Sequence, residues 1–157
     1  MSQGVRAYQA LLLKTDGEMV VYLDTSSLVK LYVEEDESSQ VDALVESSEF
    51  IATSLVAYAE ARAAFARRFR EKAFTQDEHD RIKKFFDKDW SSYLVLSVTE
   101  IMIRLAGDLA EKHALRGFDS IHLASALILR QELSSPIVFS CFDDRLQKAS
   151  KRENLQG

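Results

Sequence analysis

Residues 19–32 read Met19-Val-Val-Tyr-Leu-Asp24-Thr-Ser-Ser-Leu-Val-Lys-Leu-Tyr32, and this stretch decides the fold class. Met19 to Leu23 is an unbroken apolar run, the mark of a short strand buried on both faces. It stops at Asp24. Thr25, Ser26 and Ser27 then offer N-cap hydroxyls to a helix running through Leu28, Leu31 and Tyr32. A strand covered on both sides needs helices above and below it, which points to an α/β domain.

The alternation continues outward from this unit. The acidic patch Glu34 to Glu37 ends the first helix, and a second follows with Val41, Leu44 and Val45. Phe50 to Thr53 reads as a second strand, capped by Ser54 into a long helix reaching about Lys72. Thr75-Gln-Asp-Glu78 is a capping-box pattern, opening a helix to Trp90 with Ile82, Phe85 and Phe86 at helical spacing. Tyr93 to Leu96 is a third strand, and Thr99 to His113 a helix with Ile103, Ala106, Leu109 and Ala110 on one side. Asp119 opens another helix through Ile121 and Leu129. Pro136 precedes a fourth strand, Ile137 to Phe139, and Asp143 opens the last helix. The expected architecture is a single domain over 19–157, a mainly parallel sheet covered by helices on both faces. Residues 1–18 read as an N-terminal extension, either non-native or disordered, with Met19 a candidate start.

Composition narrows the chemistry. Five glycines and one proline in 157 residues argue against an all-β fold, which needs more tight turns. The lone Cys141 excludes a disulfide framework and a multi-cysteine zinc site, and fits a reducing, cytoplasmic setting. The longest nearly apolar stretch, Ile121 to Leu129, falls far short of the roughly 20 residues that span a bilayer, so no membrane partner is expected. With 20 Lys and Arg against 25 Asp and Glu, the net charge is −5. That argues against a non-specific polyanion binder, yet leaves room for a nucleic-acid enzyme whose acidic residues hold metal.

Asp24, Asp119 and Asp143 fall just beyond a strand or at a helix start, and Glu60 lies two turns into the helix after the second strand. In an open parallel sheet, ligands bind beyond the carboxyl ends of the strands, where these four side chains can meet. For any one Asp, a helix N-cap is the plainer role. A Glu within a helix usually faces water, but Glu60 sits among Ala57, Tyr58, Ala59, Ala61, Ala63 and Ala64. If the four converge, they need a cation: two unit charges about 4 Å apart repel by about 4 kcal/mol at an effective dielectric of about 20. An all-oxygen set favours Mg²⁺ or Mn²⁺, and metals so held suit phosphodiester hydrolysis.

These residues resemble the PIN-domain family, specifically the VapC-like toxins of bacterial type II toxin–antitoxin systems. The resemblance rests on Val21 to Tyr32, on Ala57-Tyr-Ala-Glu60 with the Ala/Arg-rich helix behind it, on Arg116-Gly-Phe-Asp-Ser-Ile-His-Leu-Ala-Ser-Ala126, and on Phe139-Ser-Cys-Phe-Asp-Asp-Arg-Leu146. It covers nearly everything from Met19 to Leu155. It implies a metal-dependent endoribonuclease with Asp24, Glu60, Asp119 and Asp143 as its metal-holding catalytic carboxylates and Ser26 as a supporting hydroxyl. Asp144 is the rival to Asp143, whose spacing to Leu146 fits the family better. The resemblance also implies an RNA substrate, a homodimer, and a cognate antitoxin lying across the acidic rim in a groove near Val41, Leu44 and Phe65.

Other side chains leave alternatives open. The basic run Arg62, Arg67, Arg68, Arg70 and Lys72 is either a solvated helix face or a set of phosphate contacts. Phe65 and Phe69 pack in the core or in a partner groove. His122 reads as a packing or hydrogen-bonding group, Cys141 as a small buried side chain, and Trp90 as a core or lid residue. Two other functions compete: a PIN nuclease of RNA processing outside any toxin system, and a non-catalytic binding domain whose acids merely cap helices.

Overall fold

The computed structural model describes residues 17–133 and 135–157. The extension expected over residues 1–18 lies outside these, apart from Gly17 and Glu18. Four strands, β1 (Val20–Leu23), β2 (Phe50–Ser54), β3 (Leu94–Leu96) and β4 (Ile137–Ser140), form one sheet in the order β3-β2-β1-β4, with every pairing parallel. Seven helices are described: α1 (Thr25–Val29), α2 (Ser38–Glu46), α3 (Val56–Arg70), α4 (Gln76–Trp90), α5 (Glu100–His113), α6 (Gly117–Glu132) and α7 (Asp144–Arg152).

The apolar run of β1 has the burial expected of it: Val20, Val21, Tyr22 and Leu23 are all fully buried. Alternation along the strand splits them between two cores. Val20 and Tyr22 pack under α5, α6 and α7 with Leu109, Leu123 and Leu146. Val21 and Leu23 pack under α1, α2, α3 and α4 with Leu28, Val41, Phe65 and Phe86. Burying such residues is worth roughly 1.5–3 kcal/mol each, which makes β1 the spine of the domain. Because all pairings are parallel, the carboxyl ends of the strands open on one rim. Beyond that rim the ladder continues: Asp24 N donates to Ser140 O (3.1 Å) and Leu55 N to Leu96 O (2.9 Å).

Several boundaries differ from expectation, each for a local reason. α1 stops at Val29, and Tyr32 lies beyond it with its ring edge-on to Phe65 and Phe86. Ser54 is the last residue of β2, pairing with Leu96, and meets α3 from one position before the N-cap, its hydroxyl accepting from Val56 N (3.4 Å). The N-cap position is Leu55, with no side-chain cap, and the helix ends at Arg70. Asp119 does not open α6 but sits in its first turn, with Arg116 at the N-cap. The capping box is present, Glu78 N donating to Thr75 Oγ1 and Thr75 N to a Glu78 carboxylate oxygen.

Phe65 is fully buried, and Val41, 1% exposed, reaches only the floor of the hollow that Leu44 lines. Leu44 lines a small hollow of about 250 Å³ between α2 and β4. Trp90 packs on the core against Phe86 and Tyr58. The chain's end lies along β4, where Phe139 N donates to Gln156 O (2.7 Å).

Candidate active site

Asp24 leaves β1 at the rim and is 4% exposed. It N-caps α1, accepting from Ser27 N (2.9 Å), and the Ser26 hydroxyl donates to both carboxylate oxygens (2.7 and 3.0 Å). Burial pushes its carboxyl above the usual range, opposed by the charge of His122 and by the bonds from Ser27 and Ser26. Asp143 stands beyond β4, after Cys141 and Phe142, and N-caps α7, accepting from Leu146 N (2.9 Å). For these two residues the capping role is real. A cap uses an oxygen of the carboxylate and fixes its direction, so capping and a site at the rim coexist.

The other two acids come from helix interiors. Asp119, in the first turn of α6, accepts from Arg116 Nε at 2.9 Å. Glu60, in α3, accepts on one oxygen from Thr25 Oγ1 (2.7 Å), and His122 Nε2 lies 3.0 Å from the same oxygen. Burial raises the Glu60 carboxyl, but His122, Thr25 and the nearby Arg116 outweigh it and hold the group below its ordinary value.

Asp24, Glu60, Asp119 and Asp143 all line one cleft of about 470 Å³ at the carboxyl ends of the strands. Ser26 lines it too, and Lys30, Arg67, Arg68 and Arg116 stand on its walls. Arg67 and Arg68 reach this cleft while pairing with Glu71 (4.0 Å) and Glu35 (3.7 Å), and Arg62 turns to Tyr58 and Asp87. Asp144 is exposed and lines an adjoining hollow with Arg145 and Lys148.

Among the described residues, no three His, Cys, Asp or Glu side chains stand close enough together to hold an ion as they are. The carboxylates are met instead by the chain's own donors, with Arg116 spanning the rim near Asp119, Asp143 and Glu60. The donor chemistry nonetheless suits a hard cation: the four acids supply only oxygen, and Asp24 is a buried carboxylate whose charge the fold undercompensates. Cys141, buried beside the site, has its thiol pushed well up by burial and by the charges of Asp24, Asp143 and Asp119. That favours the neutral thiol, a small buried side chain.

Three groups here escape a reading of the sequence. Thr25 reads as a helix cap, yet its hydroxyl bonds Glu60 and lies 3.1 Å from His122 Nε2. Tyr22 reads as a core residue, yet its hydroxyl meets His122 Nδ1 at 2.9 Å. Arg116 carries no signal of its own but bonds the acid three residues on. These contacts join residues far apart in the chain or depend on one rotamer.

The sequence model of the PIN domain matches residues 21–152. The chain is 38% identical over 108 residues to ribonuclease VapC45 of Mycobacterium tuberculosis (strain CDC 1551 / Oshkosh), covering 69% of this chain and 75% of that protein. Among solved structures, the sarcin-ricin loop cleaving toxin VapC20 of Mycobacterium tuberculosis superposes with a TM-score of 0.61 at 16% identity, covering 82% of this chain and 94% of the other. VapBC2 of Rickettsia felis, bound to a DNA fragment from its promoter, gives 0.59 at 14% identity, covering 88% and 96%. Both structural likenesses are likenesses of fold.

Proposed function

The chain belongs to the PIN-domain family, and from that premise we propose that it is a metal-dependent endoribonuclease, the toxin of a type II toxin–antitoxin pair. The observation that carries this reading is the set of four carboxylates, Asp24, Glu60, Asp119 and Asp143, drawn from four elements into one cleft at the sheet's rim. The ribonuclease identity of the VapC relative, 38% identical to this chain, supports the reaction class.

Mg²⁺ or Mn²⁺ would be held by the carboxylates of Asp24, Glu60, Asp119 and Asp143, Glu60 offering the oxygen that Thr25 and His122 leave free. Bound there, such an ion would supply Lewis-acid chemistry, lowering the pKa of water and offsetting charge on the phosphate. The remaining work belongs to the chain. The hydroxyl of Ser26 and the amide of Ser27 hold the Asp24 carboxylate in one orientation. Arg67 and Arg68 bind RNA phosphates flanking the scissile one, since phosphate contacts set register without reading sequence. Water attacks phosphorus and the P–O3′ bond breaks, leaving a 5′-phosphate and a 3′-hydroxyl.

The partners follow from the same reading. The solved neighbours include the toxin–antitoxin complex of Klebsiella pneumoniae, which supports a cognate antitoxin for this chain. A homodimer is the expected assembly, and the exposed apolar side chains of Leu55, Val98, Ile101 and Phe118 are the surface it would cover. No helix among the described residues is long and apolar enough to cross a membrane. The cytoplasm, where RNA and antitoxin are found, is the setting we assign.

The test is cleavage of a panel of structured RNAs, tRNAs included, by the wild type and by Asp24→Asn, in Mn²⁺ and in chelator. Cleavage by the wild type in metal alone is expected. Equal cleavage by both proteins, or cleavage in chelator, would overturn the assignment. The toxin role is tested by expressing the chain alone and with the adjacent small gene: growth should slow in the first case and recover in the second.

A further inference from the structure

We propose that His122 is a positioning residue that ties Glu60 to the wall of the cleft, within a buried chain running Tyr22–His122–Glu60. The proposal rests on the nuclease reading above and goes beyond it, because it assigns a role to a side chain outside the carboxylate set.

His122 is 2% exposed, on the face of α6 that packs against β1. Both ring nitrogens are engaged. Nδ1 meets the Tyr22 hydroxyl at 2.9 Å, and Nε2 lies 3.0 Å from Glu60 Oε1 and 3.1 Å from Thr25 Oγ1. The Thr25 proton points to Glu60 Oε1 at 2.7 Å, so both oxygens facing Nε2 act as acceptors. Nε2 therefore carries a proton, and Nδ1 is paired with the Tyr22 hydroxyl. The tyrosine ring cannot move to break this chain: it is fully buried in β1 and stacked on Phe139 with centroids 5.5 Å apart.

The consequence falls on Glu60. A glutamate side chain loses considerable rotamer freedom when held in one place. Here two donors from different elements converge on a single oxygen, and no hydrogen bond among the described residues reaches the other. One oxygen is anchored and the other is left to the cleft. Outer partners that orient a metal-binding group in this way are worth about 10- to 100-fold in metal affinity or activity.

The experiment compares His122→Leu, His122→Gln and Tyr22→Phe with the wild type, after circular dichroism has established that each is folded. Mn²⁺ affinity by calorimetry and kcat should both fall by about 10- to 100-fold in His122→Leu, with KM for RNA unchanged. His122→Gln, which keeps a donor, should recover most of the loss, and Tyr22→Phe should fall between. Nitrogen-15 NMR should show a protected His122 Nε2 proton in the wild type that shifts or vanishes in Glu60→Ala. Wild-type Mn²⁺ affinity and kcat in a folded His122→Leu would overturn the proposal. So would equal losses in the Leu and Gln variants, which would mean that ring volume matters and the hydrogen bond does not. If His122→Leu does not fold, the near-isosteric Tyr22→Phe decides by the same readouts. A wild type that shows the coupled Nε2 proton but cleaves no RNA would sink the nuclease reading while supporting the tether.

Discussion

Arg116 and Asp119 form a forward-reaching ion pair on the first turn of α6, Nε to Oδ2 at 2.9 Å, so one carboxylate of the rim already carries a cation. Arg116 is mostly exposed, and its charge is also felt by Asp143 and Glu60. An ion entering the cleft must displace it. Arg116→Gln should therefore bind Mn²⁺ several-fold more tightly than the wild type by calorimetry in the absence of RNA. Weaker binding in the variant would show that Arg116 helps build the site and does not compete for it.

Asp24→Asn should do two opposite things. Cleavage should fall by more than the roughly 100-fold that loss of an outer partner costs. In chelator, however, the variant should melt at a higher temperature than the wild type at neutral pH, because burial makes the Asp24 charge unfavourable in the folded state. The sign follows from the raised folded pKa: Asp24's own contribution to stability is fully present below the unfolded value near 3.8 and is lost as pH rises through the folded one. The gap between the two melting curves should thus open with rising pH and close in acid. A neutral-pH melt lower than wild type would contradict the burial penalty.

Glu153 tests the opposite sign at the far end of the chain. Lys112 and His113 hold its carboxyl below the ordinary value, with contacts of 2.6 Å from each. Its stabilisation is present above the unfolded pKa and is lost as pH falls through the lower folded one. Glu153→Gln should lower the melting temperature by a few degrees at pH 7 and by nothing in strong acid. RNA cleavage under assay conditions well below the melt should be unaffected.

The cleft's basic wall makes a prediction about salt. Arg68 carries a buried Nε with no hydrogen-bond partner among the described residues, and its nearest acid, Glu35, is 3.7 Å away. Arg67→Ala and Arg68→Ala should each raise KM for RNA and leave kcat nearly unchanged. Each should also flatten the plot of log KM against log salt by about 0.7, the share of one phosphate contact on a single strand. An unchanged slope would return these arginines to the role of a solvated face.

How much of this is legible in the residues differs by level. β1 is legible because a strand buried on both faces must be apolar throughout, and the Thr75–Glu78 box because its two bonds are local. The four acids are legible as candidates because strand ends and helix starts can be read from the sequence. Where α1 stops is not, since the aromatic packing of Tyr32 against Phe65 and Phe86 decides where that ring lies. Ser54 is half legible for a similar reason: it ends a strand, yet its hydroxyl still accepts from the first amide of α3. The tether between His122 and Glu60 spans 62 positions and appears only once α3 and α6 are folded against the same sheet.

β1 and β4 lie side by side, Val20 opposite Ile137 and Tyr22 opposite Phe139, although one strand opens the domain and the other nearly closes it. A ribosome adding roughly 5–20 residues per second delivers Asp24 and Glu60 early and Asp119 and Asp143 late. Until β4 has emerged and slotted beside β1, the Asp24 amide has no Ser140 carbonyl to meet, and the cleft has only half its acids. In a chain of this topology the cleft is completed last, by the pairing of its most distant strands.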